Sequence, residues 1–127
     1  MKQVTDKVDF AKQMLMRTQK MATEVIKFSR IINNSDESYI IKKQMIRSAT
    51  SVAANYRSVC RARSNNEFYA KLCIVVEEID ETNLWLELIK DKDLSSDQAL
   101  TLLLKERSEL TSILARSKST YKSRYIN

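Results

Sequence analysis

The chain has 127 residues and a formal net charge of +6, and it contains no glycine, proline or histidine. A chain of this length fits one domain with a modest core, and its 43% hydrophobic and 30% charged residues are typical of a folded protein. Because tight hairpins use glycine and loops use proline, the composition predicts an all-α fold. No apolar run approaches the roughly 20 residues of a membrane span, and the N-terminus lacks the apolar stretch of a signal peptide, so we expect a cytoplasmic protein.

Apolar residues at alternating spacings of four and three predict a first helix over residues 5–32. Its seam comprises Val4, Val8, Ala11, Leu15, Thr18, Ala22, Val25, Ser29 and Ile32, and it is widened by Phe10, Met14, Met21 and Phe28. A polar break at 33–35 follows. Asp36 and Glu37 then suit the positive end of a helix dipole, which predicts a second helix over 36–60.

Two capping-box patterns mark the starts of the later helices. Ser64 with Glu67 predicts a third helix over 65–90, and Ser95 with Gln98 predicts a fourth over 96–122. Short connections force consecutive helices to run in opposite directions. We therefore expect residues 1–127 to form one antiparallel up-down-up-down four-helix bundle.

The second and third helices carry signs of a further packing partner. Small residues in the second helix would let another helix approach closely, and the third helix is apolar nearly all round near Trp85, as in helices covered on several sides. An asparagine on an apolar stripe can fix oligomeric state, although for Asn55 a bond to its own backbone is an equal alternative. We predict an oligomer whose interface comprises Ser48, Ala49, Val52, Asn55, Tyr56 and Trp85.

Charge is distributed unevenly along the chain. Residues 42–71 hold seven basic residues and one acid, 72–110 hold four basic and ten acidic residues, and 111–127 hold four basic residues and no acid. In one interpretation the basic second helix meets the acidic third helix, within one bundle or between copies. In the other, the basic segment binds RNA or DNA, with stacking added by Tyr121 and Tyr125. The candidate phosphate-binding residues are Lys42, Lys43, Arg47, Arg57, Arg61, Arg63 and Lys71.

The residues that usually carry catalysis are missing. Without histidine the chain lacks the commonest general base and metal ligand, and without glycine it has no glycine-rich phosphate loop. The acidic cluster at 77–81 lacks the histidines that accompany glutamates in di-metal bundle sites. We expect neither an enzyme nor a metal or cofactor site.

The run from Gln44 to Ile89 resembles the signature of the 23S rRNA-intervening sequence proteins. The pattern Gln-x-x-Arg-(Ser/Ala)-Ala-x-Ser-(Ile/Val)-x-x-Asn is matched by Gln44, Arg47, Ser48, Ala49, Ser51, Val52 and Asn55, and a later element by Arg63, Ser64, Glu67 and Phe68. The stretch from Glu78 through Trp85 to Leu88 also looks like one branch of the family. Many members have Ile-Ala-Glu-Gly after the asparagine, where this chain has Tyr56–Val59.

The resemblance implies a ring-shaped homopentamer of four-helix bundles without a settled biochemical activity. The chain also resembles accessory proteins of diversity-generating retroelements, which bind nucleic acid and a reverse transcriptase. We therefore expect a non-enzymatic, oligomeric scaffold that binds nucleic acid, RNA above all, without reading bases. The alternative is a protein–protein adaptor whose charged faces serve ring assembly and partner docking.

Overall fold

In a computed structural model the chain forms a four-helix bundle, which confirms the all-α prediction. The structure describes the backbone of residues 2–127 and the side chains of residues 7–127, so the predicted seam position Val4 lies outside the described side chains. The helices are α1 (Lys2–Ser29), α2 (Asp36–Cys60), α3 (Asn65–Asp91) and α4 (Gln98–Tyr125). None of the four described helices combines the length and the apolar character of a membrane span.

Side-chain caps explain where the helices begin. Ser35 and Ser38 form a reciprocal capping box at the start of α2, and the Ser64 hydroxyl accepts the Glu67 N–H at the start of α3. The fourth helix begins at Gln98, two residues after the predicted start at about residue 96. Ser95 accepts the N–H of Asp97, and Asp97 is the residue that caps α4 by accepting the N–H of Ala99.

In the connection after α3, an aspartate occupies a position where helices commonly have glycine. Asp93 has φ 52°, the left-handed conformation that glycine usually supplies at a helix C-terminus. The N–H of Asp93 donates to the Lys90 carbonyl, and the N–H of Leu94 donates to the Ile89 carbonyl, which together form a Schellman motif. Leu94 is buried and completes the motif's apolar contact.

One continuous core runs along the bundle. Its fully buried members include Met14, Met21, Val25 and Phe28 of α1, Met45 and Val52 of α2, Leu72, Val75, Ile79, Leu86 and Ile89 of α3, and Leu110 and Leu114 of α4. Among neighbouring helices, close packing is greatest between α2 and α3 and least between α1 and α4. The predicted seam fails at the start of α1, where Val8 and Phe10 are exposed because α1 and α4 cover each other least.

Cross-helix contacts identify which helix ends lie together. The Lys7 ammonium on α1 donates to the Tyr125 hydroxyl on α4 over 3.5 Å. At the other end, the Asn33 N–H after α1 donates to the Leu94 carbonyl after α3 over 3.4 Å. The N-terminal part of α1 and the C-terminal part of α4 therefore share one end of the bundle, and the α1–α2 and α3–α4 connections share the other.

Candidate nucleic-acid interface

The seven predicted phosphate-binding residues do not form one patch. Lys42, Lys43 and Arg47 lie in the first half of α2, whereas Arg57 lies in its last turn. At 1.5 Å per residue, Lys42 and Arg57 are about 22 Å apart along the helix axis. The structure thus divides the predicted set into a mid-bundle group and a group at the bundle end.

Arg47, in the mid-bundle group, is engaged within the chain. Its guanidinium donates to Glu81 and, over 3.5 Å, to Glu78, both on α3. The hydrogen bond from Arg47 lowers the pKa of the Glu81 carboxyl, partly opposed by desolvation. At this position the basic face of α2 meets the acidic face of α3 in a single bundle, and the charge of Arg47 is largely offset.

The two lysines of this group differ in their surroundings. The Lys42 ammonium donates to the Asn34 side-chain carbonyl over 2.9 Å, which ties it to the α1–α2 connection. Lys43 is exposed. With Arg47 already paired, the mid-bundle group offers little concentrated positive charge.

The other four residues lie around the α2–α3 turn. Arg57 donates to Gln19 of α1 over 3.3 Å, and Arg63 pairs with Glu67 one turn along over 3.4 Å. Arg61 is exposed, and Lys71 is half-buried on α3. Exposed pairs of this kind contribute little stability, so these cations remain accessible to an external anion.

The C-terminal part of α4 is held against the same turn. The Tyr121 ring stacks on Phe68 with centroids 4.1 Å apart, and its hydroxyl donates to the Asn65 side-chain carbonyl over 2.6 Å. Tyr125 continues the row, with its centroid 4.6 Å from that of Tyr121. These contacts add the four basic residues of 111–127 to the cations of the α2–α3 turn.

We call this cluster the basic end of the bundle. It comprises Lys7, Arg57, Arg61, Arg63, Lys71, Arg116, Lys118, Lys122 and Arg124. All nine lie within about three helical turns of the same end. The described acidic side chains around it are Glu67, in the segments 57–71 and 111–127, and Asp9, beside Lys7 at the start of α1.

The basic end contains an open cleft of about 840 Å³ between the N-terminal part of α1, the C-terminal part of α4 and the α2–α3 turn. Five aromatic residues line its wall: Phe10, Tyr56, Phe68, Tyr121 and Tyr125. Its cations are Lys7, Arg116 and Arg124, and no described residue of the lining is acidic. The cleft therefore combines ring surfaces with positive charge.

Two of the cleft's tyrosines, Tyr56 and Tyr121, stay neutral over the physiological range. Burial raises the pKa of Tyr121, and the nearby Tyr125 adds to the shift. Burial also raises the pKa of Tyr56 strongly. Their hydroxyls add no negative charge beside Arg116 and Arg124.

Four of the six predicted interface residues belong to the core of one chain. Ser48, Ala49 and Val52 are fully inaccessible, and Tyr56 is 5% exposed. Thr82 of α3 lies against Ser48, and the two hydroxyls share a buried hydrogen bond of 2.8 Å. The small residues therefore admit α3 of the same chain, and the assignment of these four to an interface between copies is corrected.

The other two predicted interface residues are half-buried. Asn55 donates to the Ser51 carbonyl over 2.9 Å and to the Ser51 hydroxyl over 3.0 Å, so its own helix satisfies the amide. Trp85 packs against the core. Its indole N–H is buried without a hydrogen-bond acceptor among the described side chains.

Several acidic side chains of α3 and α4 form cross-helix ion pairs. Arg17 of α1 pairs with Glu106 over 2.6 Å and with Glu109 over 3.2 Å, and Arg107 of α4 pairs with Glu87 over 2.9 Å. In residues 7–127 no three acidic or cysteine side chains are grouped so that they could hold a metal ion. These pairs help to hold the bundle together, whereas other acids of α3, among them Glu77, Asp80 and Asp91, are exposed.

The contribution of α1 to this site was missed in the sequence. Phe10 was assigned to the core seam because it lies beside apolar positions of the heptad, yet it is 41% exposed at the cleft. Lys7 received no role. The pairing of the α1 start with the α4 end is implied by an up-down bundle, and this pairing was the signal that could have joined Lys7 and Phe10 to the aromatic tail.

Comparison with known proteins agrees with the fold. A solved structure of a protein of unknown function from the S23 ribosomal protein family of Bacteroides thetaiotaomicron VPI-5482 is 24% identical, with a TM-score of 0.77. The match covers 86% of this chain and 97% of that one. No curated protein matches the chain detectably in sequence.

The family model described as 23S rRNA-intervening sequence protein matches residues 12–116, which spans most of all four helices. The resemblance noted at Gln44–Ile89 lies inside this match. The chain belongs to the 23S rRNA-intervening sequence protein family.

Proposed function

We propose that the chain is a non-enzymatic, oligomeric scaffold that binds nucleic acid, RNA above all, through the basic end of the bundle. The observation that carries the proposal is the convergence of three separate basic segments at that end. They are the start of α1, the α2–α3 turn and the C-terminal part of α4. Nine cations at one end of a small bundle would attract a phosphate backbone and release its counterions.

The proposed binding is insensitive to base sequence. Contacts of Lys and Arg with phosphates position a nucleic acid but carry no base information. The basic end is built from helix ends and a turn. Its described residues do not resemble a motif that places a recognition helix in a DNA groove. Shape and charge therefore determine what binds.

Oligomerisation would multiply these contacts. We propose an antiparallel up-down bundle that assembles as a ring-shaped homopentamer, as the family resemblance implies. Support comes from large apolar side chains left exposed on the single chain, among them Met16 at 72% and Leu102 at 61%. Repetition of the basic end in each copy would let weak phosphate sites act together.

A second candidate function is a protein–protein adaptor. It is favoured by an exposed apolar group at the end of the bundle opposite the basic end, formed by Ile31, Tyr39 and Ile40 at the α1–α2 connection. Such a group suits protein docking. As part of this second candidate, we propose that the chain is related to the accessory proteins of diversity-generating retroelements. The docked protein would then be a reverse transcriptase.

The test is a triple charge reversal, Arg57→Glu with Arg61→Glu and Arg63→Glu, measured against labelled RNA and duplex DNA. The matched control reverses Lys90, Lys92 and Lys105, which are exposed and lie outside the basic end. Both variants change net charge equally, so a general electrostatic effect would weaken both. We expect only the basic-end variant to lose most of its affinity, and equal behaviour of the two variants would reject the proposed site.

A further inference from the structure

The aromatic cleft is a distinct part of the basic end with its own chemistry. Phosphate binding needs only exposed cations, yet here cations surround ring surfaces that the core does not cover. Phe10 is 41% exposed and Tyr125 is 43% exposed. The cleft's volume of about 840 Å³ lies in the roughly 300–1,000 Å³ range of pockets that enclose small ligands.

The row Phe68–Tyr121–Tyr125 is open at its outer member. Tyr121 is stacked on Phe68, whereas Tyr125 lies in the last turn of α4 and is tilted by 42° against Tyr121. The Lys7 ammonium lies 6.0 Å from the centroid of the Tyr125 ring. A further flat ring could therefore extend the row, with Lys7 and Arg124 near any negative charge attached to it.

Charge complementarity limits what the occupant can be. Lys7, Arg116 and Arg124 face the cleft without an acid among its described lining residues, so the occupant is anionic. The aromatic wall favours an occupant with flat, stackable rings. Unpaired nucleotides in a single strand combine both properties, since each carries a base with a free π-face and a phosphate. In a duplex the base faces are covered by their neighbours.

We propose that the cleft accepts an unpaired base of a single-stranded nucleic acid, with the base on the aromatic row and its phosphates beside Lys7, Arg116 and Arg124. This inference rests on the proposed function and adds to it a preference for single strands over duplexes. The base is held by stacking, which every base can supply, so the site is compatible with binding that ignores sequence.

The experiment compares a labelled single-stranded RNA of mixed sequence with its blunt duplex over a series of salt concentrations. The aromatic variants are Tyr125→Ala and Phe10→Ala, and the matched control is Tyr39→Ala, an exposed tyrosine at the opposite end. Both variant positions are exposed, so the fold should survive, and circular dichroism verifies this. We expect each aromatic variant to bind the single strand about tenfold more weakly, with duplex affinity and the control unchanged.

The salt dependence separates stacking from phosphate contact. Loss of a stacked base should lower affinity equally at every salt concentration and leave the slope of log affinity against log salt unchanged. Arg124→Gln should instead make that slope shallower by about 0.7, the value for one phosphate contact on a single strand. Arg30→Gln, an exposed arginine at the opposite end, serves as its control.

The outcomes distinguish this inference from the proposed function. No binding of either RNA form would reject the proposed function and the inference together. Binding of both forms that is insensitive to Tyr125→Ala and Phe10→Ala would reject only the cleft. A fall in oligomer mass for Tyr125→Ala without loss of strand affinity would show that a second copy fills the cleft, which also overturns the inference.

Discussion

Tyr121 of α4 stacks on Phe68 of α3 with ring centroids 4.1 Å apart and an interplanar angle of 21°. The two residues are 53 positions apart in the chain. Their contact fixes the C-terminal part of α4, with its four basic residues, beside the basic α2–α3 turn. The basic end exists as a single surface because of this stack and the adjacent bond from Tyr121 to Asn65.

Replacement of Tyr121 by alanine should destabilise the bundle and release the end of α4. We expect the free energy of unfolding to fall by about 2 kcal/mol, from lost burial and lost ring stacking. Urea denaturation followed by circular dichroism measures the change. Tyr121→Phe keeps the stack and loses only the bond to Asn65, so it should cost well under half as much. Equal losses for the two variants would show that the ring stack contributes little.

The small residues of α2 should tolerate no enlargement, because they pack inside the chain. Ala49 is fully buried, and Ala49→Leu should lower the free energy of unfolding by about 1–3 kcal/mol through overpacking against α3. Ala54→Leu, at an exposed position of the same helix, should change it by less than about 0.5 kcal/mol. Normal stability but reduced oligomer mass in the Ala49→Leu variant would restore the predicted interface between copies.

The pair Arg47–Glu81 should make stability depend on acidity. The hydrogen bond from Arg47 lowers the pKa of the Glu81 carboxyl below its ordinary value in the folded chain. Its stabilisation is therefore present above the unfolded-state pKa and is lost as pH falls through the folded-state pKa. Glu81→Gln should cost about 0.5 kcal/mol near neutral pH and flatten the decline in stability as pH falls through the pKa range of this carboxyl.

Urea midpoints across an acid series test this prediction. Glu77→Gln, an exposed acid one turn from Glu81, is the control and should leave the acid decline in place. An identical acid decline in the Glu81→Gln variant and the unsubstituted chain would contradict the assigned role of the pair.

Replacement of Asp93 by glycine, a residue that the chain lacks, should stabilise the fold. A non-glycine residue at φ 52° carries a steric cost that glycine avoids. Asp93→Gly should raise the free energy of unfolding by about 0.5–1 kcal/mol. Ala54→Gly, at an exposed position in the middle of α2, should lower it by about 1 kcal/mol. Thermal denaturation measures the melting temperature of both variants. A shift in the same direction for both would contradict the steric explanation for Asp93.

Much of the fold could be predicted because helix periodicity and caps act locally. The Ser64 cap, the polar break before Asp36 and the non-glycine connections all depend on residues within one turn of each other. One helix boundary differs because two local signals compete there. At the start of α4, Ser95 and Asp97 both suit a capping role, and the aspartate caps because its carboxylate reaches the Ala99 N–H.

The site was less predictable because it depends on which helix ends meet. Arg57, Arg61 and Arg63 were recognisable as a cluster from sequence alone, and so were the tyrosines of the tail. The arginine cluster and the tyrosines of the tail are brought together by the contacts of Tyr121 with Phe68 and Asn65, which join distant segments of the chain. Arg47 shows the opposite case, because a basic residue in the predicted set is matched by acids 31 and 34 positions away.

The most direct test of the central claim is RNA and duplex DNA binding at several salt concentrations, with the oligomer's mass recorded at each. We expect binding that weakens steeply as salt rises while the mass stays constant, since phosphate contacts release counterions. An oligomer that stays intact at low salt and binds neither nucleic acid would contradict it, and the adaptor function would then be the better explanation of the basic end.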